Sequence, residues 1–403
     1  MTDPIVLAFS GGLDTSFCIP FLSETLGRPV ITVTVDTGGL DAAAREALAA
    51  RARALGAAEH ILVDARADYF DKVLRFLVMG NVRRGQVYPL CVGAERVIQA
   101  QEVARTAARL GTRAVAHGCT AAGNDQVRFD VALRTLDPGL EVIAPVRDQP
   151  RPRAEQVAFL EERGLPVPPF GAAYSINRGL WGVTIGGRET LGSAESIPDS
   201  AWVLTRGALE GTEARPAERH TLGFVRGVPV SFDGEELAPP ALIERVEAAA
   251  AVFGIGRGIH LGETILGIKG RVAFEAPAAE VLINAHRELE KLTLTGRQIR
   301  MKETCAAVYG DLVHEGQHLD PVCRDVEALL LSSQERVTGT VKLLFRTGQV
   351  FVEGVESPHS LLAATKGIYG EAAGEWTAAD ARGFSRIAAL PGMLHARAAG
   401  GRP

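Results

Sequence analysis

Residues 5–16, IVLAFSGGLDTS, constrain this chain more than any other stretch. The apolar run from Ile5 to Phe9 ends in Ser10-Gly11-Gly12. Leu13-Asp14-Thr15-Ser16 then opens a helical pattern through Cys18, Ile19, Phe21 and Leu22. This reads as strand, tight glycine turn and helix start. Such a turn aims backbone N–H groups and the positive end of a helix at one point, which suits a phosphate. Gly11 and Gly12 let the backbone approach oxygen atoms where a Cβ would intrude. Ser10, Thr15 and Ser16 add hydroxyl donors. The loop has no lysine, so it is not the GxxxxGK[ST] loop of ordinary NTPases. A lysine-free loop suits a pyrophosphate that leaves as a unit, so attack at an α-phosphate is expected. The alternative is a plain glycine turn closing a βα unit.

The pattern that follows agrees with this start. Further strands are expected at 29–36, 60–64, 113–118 and 140–145, and helices at 41–55, about 66–78 and about 92–110. Strands alternating with helices imply a parallel sheet covered on both faces, with ligands beyond the carboxyl ends of its strands. Three strand ends are polar or glycine-rich: Ser10-Gly-Gly, Asp36-Thr-Gly-Gly and His117-Gly-Cys-Thr. They should line one crevice. PVPPFG (166–171) is expected to mark a domain boundary. Beyond it, strands near 227–232 and 265–277, helices at 242–254 and 278–292, and a hairpin over 339–356 turning at Thr347-Gly348 predict a smaller α+β domain. A tail follows from about residue 360, with a frayed end at 398–403.

Composition excludes several classes. A length of 403 residues suits about two or three domains. A net charge of −5 argues against binding nucleic acid through a general basic surface. No apolar run approaches the roughly 20 residues a membrane helix needs, and no signal peptide precedes the first strand, so a cytoplasmic protein is expected. The five cysteines form no CxxC and are expected as reduced thiols.

A second informative stretch is AHGCTAAGNDQVRFD (116–130), where a strand again ends in glycine before a helix. Asn124 or Asp125 could cap that helix. Capping does not explain Thr120, Asn124, Asp125, Gln126 and Arg128 crowded at the ligand end of a sheet. Arg128 can clamp a carboxylate, Asp125 can receive an ammonium, and Thr120 and Asn124 offer short polar contacts. Charges of both signs suit a free amino acid.

These motifs, with AYSINRGLWG (173–182), GIKGRVAFEAP (267–277), VTGTVKL (337–343) and ESPHSLL (356–362), occur in the order found in argininosuccinate synthase, and the chain resembles that family over nearly its whole length. The SGG turn alone belongs to all N-type ATP pyrophosphatases. The resemblance implies an α/β fold: a doubly wound parallel sheet of the HUP type over 1–165, a smaller synthetase domain over 166–358, and a C-terminal arm over 359–403. It implies a ligase joining aspartate to citrulline, with ATP and Mg2+, in a cytosolic homotetramer. The ATP contacts carried over are Ala8, Ser10, Gly11, Gly12, Leu13, Asp14, Thr15, Ser16, Val35 and Gly118. Ser10, Asp14 and Thr15 are expected nearest the chemistry, by positioning and not by covalent catalysis. Thr120, Asn124 and Asp125 match the aspartate site. Tyr88, Asn124, Arg128, Ser175 and Thr184 match the citrulline site, Thr184 in place of a serine.

Departures gather on the acceptor side. A contact serine becomes Gly93, although Arg96 keeps an arginine. A contact glutamate aligns with Gly262, leaving Glu263 one place on as its substitute. A tyrosine becomes Phe274, and a lysine becomes Ala122. The rival readings are a related ligase with a different ureido or amide acceptor, and a regulatory protein that binds nucleotide or amino acid without turnover.

Other signals are set lower. His314-Glu-Gly-Gln-His318 spells HExxH, but Gly316 and Pro321 predict a helix end instead of a zinc site. GIGRGIHLG (254–262) reads as a loop. His117, Leu180 and Trp181 read as packed residues.

Overall fold

The computed structural model describes residues 3–168, 174–210 and 215–400. It forms two compact units, divided after Ser357. Part of the expected boundary at 166–171, the first residue of the 173–182 motif and the last three residues lie outside the described residues.

Five parallel strands build the first sheet: β1 (Ile5–Ala8), β2 (Val30–Asp36), β3 (Glu59–Asp64), β4 (Ala114–Ala116) and β5 (Glu141–Ile143), in the order β3-β2-β1-β4-β5. β1 is central, and its Ile5, Val6 and Leu7 are buried. Its Val6 enters one hydrophobic core while Ile5 and Leu7 enter another on the opposite face, as a period of two requires. Each such side chain contributes roughly 1.5–3 kcal/mol by burial. From β1 the chain adds β2 and β3 on one side, then crosses to add β4 and β5 on the other, so the crevice at the carboxyl ends of β1 and β4 is the topological switch point where α/β sheets bind ligands.

The helices flanking this sheet begin and end where the sequence places them. Asp41 caps the helix Ala42–Ala54 by accepting from the Ala44 N–H. The expected helix over 66–78 is realised as Arg66–Tyr69, a wide turn over Phe70–Leu74, and Arg75–Met79. The one expected over 92–110 is a tight turn at Gly93–Glu95 followed by Arg96–Arg109.

Two antiparallel sheets follow. β6 (Tyr174–Gly179), β7 (Gly182–Gly187), β11 (Arg257–Glu263) and β12 (Lys269–Glu275) pair in the order β11-β12-β7-β6. β8 (Glu218–Val225), β9 (Val228–Phe232), β10 (Glu235–Glu236), β13 (Gly339–Arg346) and β14 (Gln349–Glu356) pair as β10-β9-β8-β13-β14. The expected helix at 278–292 runs Pro277–Thr293. One expectation fails: the stretch 254–262 is not a loop throughout. Gly254 and Gly256 do turn, but residues from Arg257 onward form β11, paired along its length with β12. A glycine-rich stretch becomes a strand because a partner strand satisfies its backbone, which local propensity does not register.

The second unit carries a short helix Leu361–Ala364 and a long one, Ala378–Ala398, capped by Thr377 and without a buried residue. No helix among the described residues is long and apolar enough to cross a membrane. All five cysteines are free thiols. Leu180 and Trp181 are core residues, the indole donating to the Pro89 carbonyl at 2.9 Å.

Candidate active site

The three polar strand ends converge on one cavity of about 990 Å³. At the end of β1 the backbone turns at Gly11, whose φ of +74° favours glycine. Arg51, from the helix Ala42–Ala54, donates to the Gly11 carbonyl at 2.6 Å and fixes the loop. Ser10 and Thr15 hydroxyls lie 3.3 Å apart, and Thr15 Oγ1 reaches the Gly12 carbonyl at 3.2 Å. Asp14 Oδ1 accepts from Gln156 at 2.9 Å. Gly118 meets this helix start directly: a Cβ there would stand 3.1 Å from the Thr15 backbone nitrogen, so β4 ends where only glycine fits closely. Ala8, Ser10, Gly12, Leu13, Asp14, Thr15, Val35 and Gly118 all line the cavity. Gly11 and Ser16 do not. Gly11 shapes the turn, and Ser16 is fully buried with its hydroxyl unpaired among the described residues.

The other side of the cavity is a chain of alternating charge. Thr37 donates to Glu95 at 2.8 Å, Glu95 pairs with Arg96 at 2.7 Å, and Arg96 with Asp125 at 3.0 Å. Asp125 pairs with Arg128 at 2.8 Å, and Arg128 Nε donates to the His314 carbonyl at 2.8 Å. Burial opposes the charge on Asp125, yet Arg96 and Arg128 outweigh it and hold its carboxyl at about 2. Burial wins at Glu95, pushing its carboxyl up to about 7 against the pull of Arg96 and Thr37. Asn124 does not cap its helix; its Oδ1 accepts from the Ile265 N–H at 3.0 Å and ties the helix start to the turn between β11 and β12.

Tyr88, Thr120, Asn124, Asp125, Arg128, Ser175, Thr184 and Glu263 all line this cavity. The departures interlock. A Cβ at Gly93 would lie 3.1 Å from the Arg128 guanidinium carbon, and one at Gly262 would lie 2.5 Å from His260 Nε2. His260 takes that space, stacked on Tyr88 at 5.5 Å, while Phe274 packs against the same tyrosine at 5.2 Å. Glu263 pairs with Lys269 at 2.8 Å and is largely exposed. His117 is a packed residue, bonded to Asp130 at 3.0 Å and stacked on Phe129.

Among the cavity residues that the sequence reading did not single out for the site are Glu95, His260, Thr264 and His314. Only His314 carried a signal, as half of HExxH. The helix Gly296–His314 ends there, with Gly316 at φ +80°, and no group of three or more His, Cys, Asp or Glu among the described residues could hold a metal.

Comparison with known proteins gives two family models, described as the argininosuccinate synthase N-terminal HUP domain over residues 4–166 and the argininosuccinate synthase C-terminal domain over residues 174–395. The chain is 42% identical over 400 residues to the argininosuccinate synthase of Xanthomonas campestris pv. campestris, covering 98% of each. It is 38% identical over 357 residues to that of Methanocaldococcus jannaschii, covering 88% of this chain and 89% of the relative. With the Synechococcus protein of the same name it shares 37% over 389 residues, or 96% and 95% of the two chains.

Proposed function

Since the chain belongs to the argininosuccinate synthase family, we propose that it joins L-aspartate to the ureido carbon of citrulline, releasing AMP and pyrophosphate from ATP. The observation that carries this reading is the shared cavity. It joins a lysine-free phosphate turn at Ser10–Thr15 to a two-signed amino-acid site at Asp125 and Arg128.

The reaction takes two steps. The ureido oxygen of citrulline attacks the α-phosphorus of ATP, and pyrophosphate departs toward the N–H groups and hydroxyls of the loop. The aspartate amine then displaces AMP from the adenylated carbon. Ala8, Gly12, Leu13, Val35 and Gly118 hold the nucleotide, with Ser10, Asp14 and Thr15 at the phosphates. Thr120, Asn124 and Asp125 hold aspartate; Tyr88, Asn124, Arg128, Ser175, Thr184 and Glu263 hold citrulline. The gain comes from bringing three ligands into line, since no protein nucleophile is needed.

Magnesium fits as a companion of the triphosphate. The loop offers one carboxylate, Asp14, and two hydroxyls, a sparse donor set of the kind that leaves Mg2+ mostly to phosphates and water. When bound it neutralises phosphate charge.

The same reading assigns nucleotide binding to residues 1–165, a synthetase domain to 166–358 and an assembly arm to 359–403, in a cytoplasmic homotetramer. Full-length similarity to several argininosuccinate synthases leaves the reading with a different acceptor, and the one without turnover, unfavoured. Resolving the nucleotides formed from ATP, aspartate and citrulline tests it. AMP and pyrophosphate, dependent on both amino acids, are expected; ADP and phosphate would refute it.

A further inference from the structure

His314 lines the cavity beside Arg128, and the family reading leaves it without a role. It stands at the end of the helix Gly296–His314, and the residue is 7% exposed. Arg128 Nη2 lies 3.3 Å from its Nδ1. A guanidinium can only donate, so Nδ1 must accept and the ring proton sits on Nε2. Nε2 is buried and has no partner among the described residues. A buried donor with nothing to donate to is costly, and such groups in native structures call for an explanation.

The neighbouring groups point to the missing partner. Arg128 binds the imidazole from one side. His260, Tyr88 and Gly262 line the same cavity. Thr264 lines it too, and its hydroxyl is likewise buried without a partner. Arg128, the residue His314 touches, is assigned to the acceptor, and its other partner Asp125 lies on the side toward aspartate. The unsatisfied donor therefore sits beside the guanidinium assigned to the amino acid whose carbonyl is activated.

We propose that His314 is a specificity-determining residue of this enzyme, its Nε2–H donating to an oxygen of the acceptor amino acid in a tautomer fixed by Arg128. This rests on citrulline as the acceptor. Burial first, then Arg128 and Arg84, push the His314 imidazole down to about 3, so it stays a neutral donor throughout the working range. A neutral donor adds direction to acceptor binding without adding charge beside Arg128, and it rejects an acceptor that lacks an oxygen at that position.

The test compares His314→Ala and His314→Gln with the wild type. Steady-state KM is measured for citrulline, aspartate and ATP. Citrulline binding is measured separately by calorimetry with α,β-methylene-ATP present. Gln can place an amide N–H near the former Nε2, so it should restore what Ala removes. The expected result for Ala is about a tenfold weaker citrulline KM and affinity, equivalent to roughly 1.4 kcal/mol. Its KM for aspartate and ATP should stay within about twofold. Gln should recover most of the loss, with a pH profile for citrulline binding unchanged between pH 6 and 9. Unchanged citrulline affinity in a folded Ala variant overturns the proposal. So does equal weakening of citrulline and aspartate in both variants, which would mark His314 as a support for Arg128 alone. A wild type that binds citrulline but forms no AMP with it refutes the function while leaving the His314 comparison readable by calorimetry. A wild type that does not bind citrulline overturns both.

Discussion

Asp125→Ala separates the two roles this carboxylate carries. In the structure it is clasped by Arg96 Nε at 3.0 Å and by Arg128 Nη1 at 2.8 Å. Removing it does not orphan the two arginines equally. Arg96 keeps Glu95 at 2.7 Å. Arg128, only 8% exposed, keeps the His314 carbonyl and ring, which carry no negative charge. Breaking a fully buried pair costs roughly 3–5 kcal/mol. Asp125 itself is 35% exposed to the open cleft, where water can solvate the released guanidinium. A loss of about 2 kcal/mol is therefore expected, below the range for a sealed pair. Asp125→Asn, which keeps an acceptor oxygen for the arginines, should lose about half of that. Urea denaturation at constant m measures both. Aspartate KM should rise about tenfold or more in the Ala variant while ATP KM stays near wild type, because an ammonium held in a buried site loses its counter-charge. An Ala variant as stable as the wild type would show the clasp contributes nothing. Equal weakening of aspartate and ATP would show that Asp125 acts only as a structural link.

Three further outcomes follow from the geometry. Gly12→Val should fold, since a Cβ there meets only Ser10 Oγ at 3.6 Å, yet lose ATP binding as the branched side chain occupies the phosphate approach; wild-type ATP affinity by calorimetry would show the loop is misassigned. Because burial raises the Glu95 carboxyl to about 7 from its ordinary value, the native state holds that proton where the unfolded chain has released it, so this contribution is full below about pH 4.5 and is lost as pH rises through 7. The stability of the wild type relative to Glu95→Gln should fall over that window, and a pH-independent difference would contradict the buried site. Glu290→Ala should cost about 3–5 kcal/mol in denaturation, because it removes the carboxylate 2.7 Å from the fully buried Lys302 ammonium and leaves it the Met79 carbonyl as hydrogen-bond partner among the described residues; a cost under about 1 kcal/mol would argue that water reaches the site.

The sequence by itself determined the parallel sheet and the glycine turn after β1. These are local: an apolar run of period two, a glycine that must take positive φ at position 11, and a helix opened by Asp14 and Thr15 are written in adjacent residues. The second part of the candidate site was legible in part, because Thr120 to Arg128 stand together at one strand end. The tertiary structure alone decided what those residues touch. Asp125 was readable as a free counter-charge for an ammonium, but it is already shared by two arginines. Glycines 93 and 262 read as lost contacts, whereas each yields its space to a side chain, Arg128 in one case and His260 in the other. His314 carried a signal only as half of HExxH, and its partner Arg128 lies 186 residues away. The physical reason is range. Hydrophobic periodicity and turn chemistry act between near neighbours, whereas the acceptor wall exists only once the end of the helix Gly296–His314 packs against the start of Asp125–Leu136. No local pattern records that contact.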